Sequence, residues 1–175
     1  MSVATAFATI DPAGLKALAD KGKADPKVVR TVKCRTVAEG KKYRHLNYIR
    51  DLPAHIVDEP PGLLGDDTAP NPTEALLAAL GTCVAVGLQA NAVARGWTIN
   101  AIEVVLEGDI NVTSVWGVGD LGPKPVGLTD VRIKAHLDVD GASPAEVADL
   151  VAHAATWSPV FNTVKNPVRM SIESV

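Results

Sequence analysis

Twenty consecutive residues, Ala75 to Ala94, carry no charge. A run of that length either crosses a bilayer or forms the inner helix of a globular fold. Its beginning is written in the sequence. Asn71 is a good N-cap, Pro72 suits the first helical position, and Glu74 can complete a capping box. The helix runs to about Arg95 and stops at Gly96. Ala and Gly outnumber Leu and Ile, Thr82, Gln89 and Asn91 interrupt the run, and strand-like segments flank it, so the expectation is a core helix and not a membrane span. Counting about 100° per residue from Cys83, the same face carries Leu76, Ala79, Leu80, Val86, Gly87 and Ala90. That face is apolar and small, which suits close helix packing and leaves the thiol at least partly buried.

At 175 residues one well-packed domain is expected. Apolar residues make up 47% of the chain and the net charge is −3, which lacks the basic balance a nucleic-acid surface needs. The N-terminus has neither a basic n-region nor a full apolar h-region, so the expected location is the cytoplasm. Cys34 and Cys83 are too few for a disulfide framework and rest as thiols in a reducing compartment. The histidines His45, His55, His136 and His153 show no ligand spacing, and the glycines show no phosphate-loop fingerprint, so neither metal nor cofactor is expected.

Along the chain, residues 1–27 read as a helical N-terminal arm, with Asp11 capping a helix through Lys21, and residues 28–175 as the main domain. Val28 to Val37 and Tyr43 to Arg50 form a hairpin about the turn at Glu39 to Lys42, and His55 to Val57 gives a third strand. Glu59 to Pro70 is a loop, since proline and glycine break it repeatedly. After the long helix, Thr98 to Ile110 is a strand, Val112 to Gly127 an irregular excursion, and Val131 to Val139 an amphipathic strand. Ser143, Pro144 and Glu146 open a second helix that continues to about Trp157, and Pro167 to Ile172 closes as a final strand. The order βββ-α-ββ-α-β is α+β. The long helix is apolar nearly all round, whereas one sheet covers only one side of it. A homodimer with the two long helices packed centrally resolves that imbalance.

Four motifs carry a more specific signal: Asp58-Glu59-Pro60-Pro61, Asn71-Pro72 through Leu80-Gly81-Thr82-Cys83, Glu107-Gly108-Asp109, and Ser158-Pro159-Val160-Phe161-Asn162-Thr163. In order and spacing, from about Val28 to the C-terminus, they resemble the OsmC/Ohr family of osmotically induced and organic-hydroperoxide-resistance proteins. The resemblance implies an intertwined homodimer with active sites at the subunit interface. It also implies oxidative-stress chemistry, in which one cysteine attacks a peroxide and a second resolves the sulfenic acid as a disulfide. Cys83 falls on the attacking cysteine. The resolving position, just before the Pro-x-x-Asn element, holds Ser158, which cannot form a disulfide. The glutamate that family peroxidases place after the helix-start proline is replaced by Thr73. Glu74, nine residues before Cys83 and so about 900° around the helix, faces away from the thiol and is left to capping.

An attacking cysteine reacts as thiolate, and burial alone disfavours that form. Cys83 lies about 16 Å along the axis from Pro72, beyond the reach of the helix terminus, so an arginine from another segment is required. The resemblance implies one near the first hairpin. Arg44 is the first choice and Arg35 the second, with Arg30 and Arg50 in the same region. Cys34 is either a substitute resolving thiol or a small buried hydrophobe. Trp157, beside Ser158, and Trp116 either line a pocket for an apolar substrate or act as core anchors. Hydrolysis by Ser158 with His153 as base is disfavoured, since about 500° separates them on one helix. Two functions remain in view. One is reduction of organic hydroperoxides through Cys83 alone, with an external thiol as reductant. The other is a redox-silent protein that binds a small hydrophobic ligand at the dimer interface.

Overall fold

The computed structural model describes residues 10–112, 115–117 and 126–174. Four helices and five strands are described, in the order α1 (Pro12–Ala24), β1 (Arg35–Ala38), β2 (His45–Tyr48), β3 (His55–Val57), α2 (Pro72–Ala94), β4 (Thr98–Asn111), β5 (Gly127–Asp140), α3 (Pro144–Trp157) and α4 (Pro159–Lys165). The strands form two antiparallel sheets, β1-β2-β3 and β4-β5, so the α+β expectation is met. The chain divides into two compact units. One comprises Asp20–Ala79, the other Leu80–Val175 with the residues through Ala19.

The larger unit is built on a hairpin of two 14-residue strands. Ile102 faces Leu137, Val104 faces Ala135 and Leu106 faces Ile133, so every second residue of each strand delivers an apolar side chain to one face. A register shift between Ile99 and Ala101 lets Ile99 join that face out of strict alternation. Against this face lies a ridge of α2, Leu80, Val84, Leu88 and Ala92, together with Leu150 and Ala154 of α3. Two glycines allow the approach. A methyl group added at Gly81 would stand 2.6 Å from Leu106 Cδ1, and one at Gly87 would touch Ala154 Cβ at 3.5 Å.

The ends of α2 follow the sequence. Asn71 Oδ1 accepts from Glu74 N–H at 2.9 Å while Glu74 Oε2 accepts from Asn71 N–H at 2.8 Å, a complete capping box. At the other end Gly96 takes a φ of +77°, and Gly96 N–H and Trp97 N–H donate to the carbonyls of Val93 and Ala92. This is a Schellman motif, and glycine meets its left-handed position without a Cβ clash. By length and composition alone α2 could cross a membrane, but its ridge is part of the unit's own core. The helix is less enclosed than expected. Leu80, Gly81, Val84, Leu88 and Ala92 are buried, whereas Leu76 and Val86 of the anticipated inner face are exposed. The ridge advances in steps of four residues, and Cys83 sits at its border.

The smaller unit holds three short strands in register Arg35 to Tyr48, Leu46 to Ile56, and their neighbours. The segment expected as a strand from Val28 pairs only from Arg35, because β2 offers four residues to pair with. The loop from Glu59 to Pro70 contains one 3-10 turn, Pro61–Leu63, and folds back so closely that a Cβ at Gly65 would stand 1.7 Å from the carbonyl oxygen of Glu59. Only glycine fits there.

One further expectation is corrected. Pro167 to Ile172 is not a strand, since among the described residues no strand pairs with it and Val168, Met170 and Ile172 are all exposed. In its place α4 follows α3 directly. The expected excursion from Val112 to Gly127 falls largely outside the described residues.

Candidate functional site

Cys83 and Ser158 are 75 residues apart in sequence and adjacent in space: Ser158 Oγ lies 3.1 Å from Cys83 Sγ. Ser158 occupies the hinge between two helices, closing α3 and capping α4. The proline that follows it disfavours helical torsions at the preceding residue, and Ser158 is extended at φ −74° and ψ 120°. Its hydroxyl accepts from Phe161 N–H at 3.2 Å. Its carbonyl accepts from Asn162 N–H at 3.0 Å and from Asn162 Nδ2 at 2.9 Å. With 3% of its surface exposed, Ser158 is as enclosed as the core leucines. Cys83 is half-buried, as its place at the border of the ridge requires.

The remaining candidates are distributed differently. Trp157, next to Ser158, is exposed, and its ring lies 6.2 Å from that of His153. That contact, with the Ser158 hydroxyl engaged by Cys83, leaves no serine–histidine pair. Arg44, Arg35, Cys34 and Thr73 all belong to the smaller unit. Arg44 is not a solvated hairpin charge. Its Nε meets Glu39 Oε2 at 2.5 Å and its Nη1 donates to Thr68 Oγ1 at 2.6 Å, with both ionic side chains mostly covered. Arg35 stacks its guanidinium 4.4 Å over the ring of Tyr48. Cys34 precedes β1 and is exposed, contrary to the reading of it as a buried hydrophobe. Thr73 sits in the first turn of α2, half-buried, beside the capping Glu74.

The polar centre of the smaller unit is Asp58, the one aspartate buried in the described chain. Its carboxylate accepts from Glu59 N–H at 2.8 Å, from Thr68 N–H at 3.1 Å and from Thr68 Oγ1 at 2.7 Å. The Thr68 hydroxyl is the main cause of a carboxyl group held below its ordinary value, opposed by burial. Thr68 links Asp58 to Arg44, so the arginine favoured from sequence is the outer member of a network that the sequence did not reveal. Glu59 behaves in the opposite sense. Its Oε2 is buried without a hydrogen-bond partner, and desolvation first, then repulsion by Asp58 and Glu74, push its carboxyl above the ordinary value. No cluster of three or more His, Cys, Asp or Glu suited to a metal ion occurs among the described residues.

This arrangement of a long capped helix bearing a cysteine, a two-strand hairpin beneath it and a second helix ending at the cysteine defines a known class. The OsmC-like protein model matches residues 65–173, more than half of the chain, and the chain belongs to that family. Solved structures agree in fold. An OsmC-like protein from Mycoplasma pneumoniae is similar with a TM-score of 0.63 and 17% identity, covering 79% of this chain and 89% of the other. An organic hydroperoxide resistance protein from Legionella pneumophila gives 0.57 and 18%, covering 79% and 92%. An OsmC-like protein of unknown function from Vibrio cholerae gives 0.65 and 14%, covering 78% and 95%. No curated protein matches the sequence.

Proposed function

We propose that the protein reduces organic hydroperoxides through a single cysteine, Cys83. The observation that carries this reading is the contact of Cys83 Sγ with Ser158, the residue standing where the family resemblance places the resolving partner. In the first step the Cys83 thiolate attacks the peroxide, the S–O bond forms, the O–O bond breaks, and the leaving alkoxide takes a proton to become an alcohol. The product is a sulfenic acid. Ser158 offers no sulfur to condense with it, so an external thiol forms a mixed disulfide with loss of water. A second thiol releases Cys83 and leaves as the oxidised disulfide.

Arg44 is proposed as the cation that steadies the developing alkoxide, with Glu39 and Thr68 orienting its guanidinium. The protein acts in the cytoplasm as a homodimer. Three features support a second copy: Val86 and Leu76 of α2 are exposed, no apolar side chain of Asp20–Ala79 is buried, and the strand-patterned segment 167–172 pairs with no strand among the described residues. Removing residues 167–175 is expected to turn a dimer into a monomer in sedimentation measurements.

The replacement of the family glutamate by Thr73 and of the resolving cysteine by Ser158 favours one other reading, a redox-silent protein binding a small hydrophobic ligand. Stoichiometric oxidation separates the two. Reduced protein is treated with cumene hydroperoxide or hydrogen peroxide, and sulfenic acid is trapped and located by mass spectrometry, with Cys83→Ser and Cys34→Ser as controls. Fast oxidation of Cys83, with preference for the organic peroxide, is expected. Oxidation no faster than that of a free thiol would leave the binding protein. Loss of turnover on Cys34→Ser would identify Cys34 as a resolving thiol.

A further inference from the structure

Residues 12–34 carry six lysines and arginines against two aspartates, in a chain whose net charge is −3. A basic arm therefore stands against an acidic remainder. The fold of a single chain encloses none of it. The helix α1 buries no residue, and every residue from Asp25 to Cys34 is exposed, Val29 and Val32 by 90% and 93%. A helix of 13 residues is marginal in water, and Gly14 and Gly22 weaken it further, so α1 needs a surface to lie on. Leu15, Leu18, Ala19 and Gly22 share one side of it, at spacings of three and four. Among the described residues no ion pair joins Lys21, Lys23, Lys27, Arg30 or Lys33 to a carboxylate.

The outer face of the β4–β5 hairpin has the opposite character. Turned away from the apolar core, and exposed, are Glu103, Glu107, Asp109, Asp130, Asp138 and Asp140, against Arg132 and Lys134. Asp109 stands directly opposite Asp130 in the register, and like charges so placed disfavour the pairing of their strands. Arg132 is engaged by Glu107 and Asp109. That leaves Asp130, Asp138, Asp140 and Glu103, the last across from His136, without an ion pair among the described residues.

We propose that the arm of one copy lies along the outer hairpin face of a second copy, its cations set against Glu103, Asp130, Asp138 and Asp140. The lengths agree. The helix α1 spans about 20 Å and the ten residues after it reach about 33 Å, against about 48 Å for a 14-residue strand. By two-fold symmetry each copy gives an arm and receives one. An anionic lipid surface also attracts basic helices, but here the complement is present on the chain itself. The inference rests on the homodimer of the preceding reading and not on its peroxide chemistry. It adds an electrostatic contact to that dimer, made by a part of the chain that lies outside the family match at residues 65–173.

The test is the dimer dissociation constant of the full chain, read by sedimentation equilibrium, in two charge reversals. One reverses the arm, with Lys21→Glu, Lys23→Glu, Lys27→Glu and Arg30→Glu together. The other reverses the face, with Asp130→Lys, Asp138→Lys and Asp140→Lys together. All seven residues are exposed, so the core of each variant is left as it was. Each variant alone is expected to dimerise roughly tenfold more weakly than wild type, the difference fading as salt rises toward about 1 M. An equimolar mixture of the two is expected to regain the wild-type constant, because in the mixed dimer one contact joins the two reversed surfaces and the other joins the two native ones. A mixture as weak as its components would place the contact within one chain and overturn the proposal. Wild-type protein that pelleted with phosphatidylserine vesicles, while both reversals left the dimer constant unmoved, would assign the arm to a membrane and overturn it too. The two failures are distinct: reversals without effect on an intact dimer remove the arm contact alone, whereas a wild type that stays monomeric at every concentration sinks the homodimer and the arm contact together.

Discussion

Every apolar side chain that the described chain buries lies between Leu80 and Ala154, whereas between Asp20 and Ala79 the buried side chain is a carboxylate, Asp58. The two units are therefore held by different forces. In the larger one, burial of leucine and valine against a hairpin does the stabilising. In the smaller one, the buried side chain is a hydrogen-bonded aspartate, satisfied by the Thr68 hydroxyl and the backbone amides of Glu59 and Thr68, with Arg44 bonded in turn to Thr68. A polar centre gives geometric definition and little net free energy, because its hydrogen bonds are exchanged against those with water.

The largest test of this contrast is truncation within the apolar unit. Leu88→Ala empties a fully buried site and is expected to cost about 2–5 kcal/mol in denaturant unfolding. Val37→Ala, on β1 and 36% exposed, should cost no more than about 0.5 kcal/mol. Comparable losses at both positions would break the distinction.

A smaller effect is expected at Gly81→Ala, where the new methyl meets the end of the Leu106 side chain. Overpacking of this kind costs about 1–3 kcal/mol, and the mobile end of a leucine places it at about 1.

The subtlest test is pH. Asp58 has its carboxyl held down, so its contribution is fully present above its ordinary value of 3.8 and is lost as pH falls below that through the folded-state value. Asp58→Asn should therefore be less stable than wild type at neutral pH, with the gap closing in acid. Glu59 has its carboxyl pushed up, so ionising it disfavours the fold at pH above its ordinary 4.5, and protonation relieves that penalty as pH falls. Glu59→Gln should gain stability at neutral pH and lose that advantage in acid. Thermal melts of both variants from neutral pH into acid check the two signs together.

What the sequence disclosed and what it withheld follow from how local each signal is. The bounds of α2 and α3 were legible because caps and N1 prolines act within a few residues. By the same token α4 should have been found. Asp11-Pro12, Asn71-Pro72, Ser143-Pro144 and Ser158-Pro159 are four versions of one helix-start signal, and the first, second and third were read as such. The expected last strand failed for the converse reason: alternation describes a surface, but a strand also needs a partner. The contact of Cys83 with Ser158 joins two distant helices and is not encoded in either alone. A family resemblance suggested it, and the geometry supplied its distance. The Asp58 network was out of reach because Thr68 and Arg44 look like ordinary loop and hairpin residues until the chain folds them together.

The helix α2 belongs to both units, its first turns to the polar one and the remainder to the apolar one, without a break between them. Its amides should therefore not exchange with solvent deuterium as one block. Those near Leu77 are released whenever the weaker unit opens, while those near Leu88 wait for global unfolding. A single uninterrupted helix would then carry a gradient of lifetimes along its axis, and Cys83 sits within that gradient, a few residues past the point where the units divide.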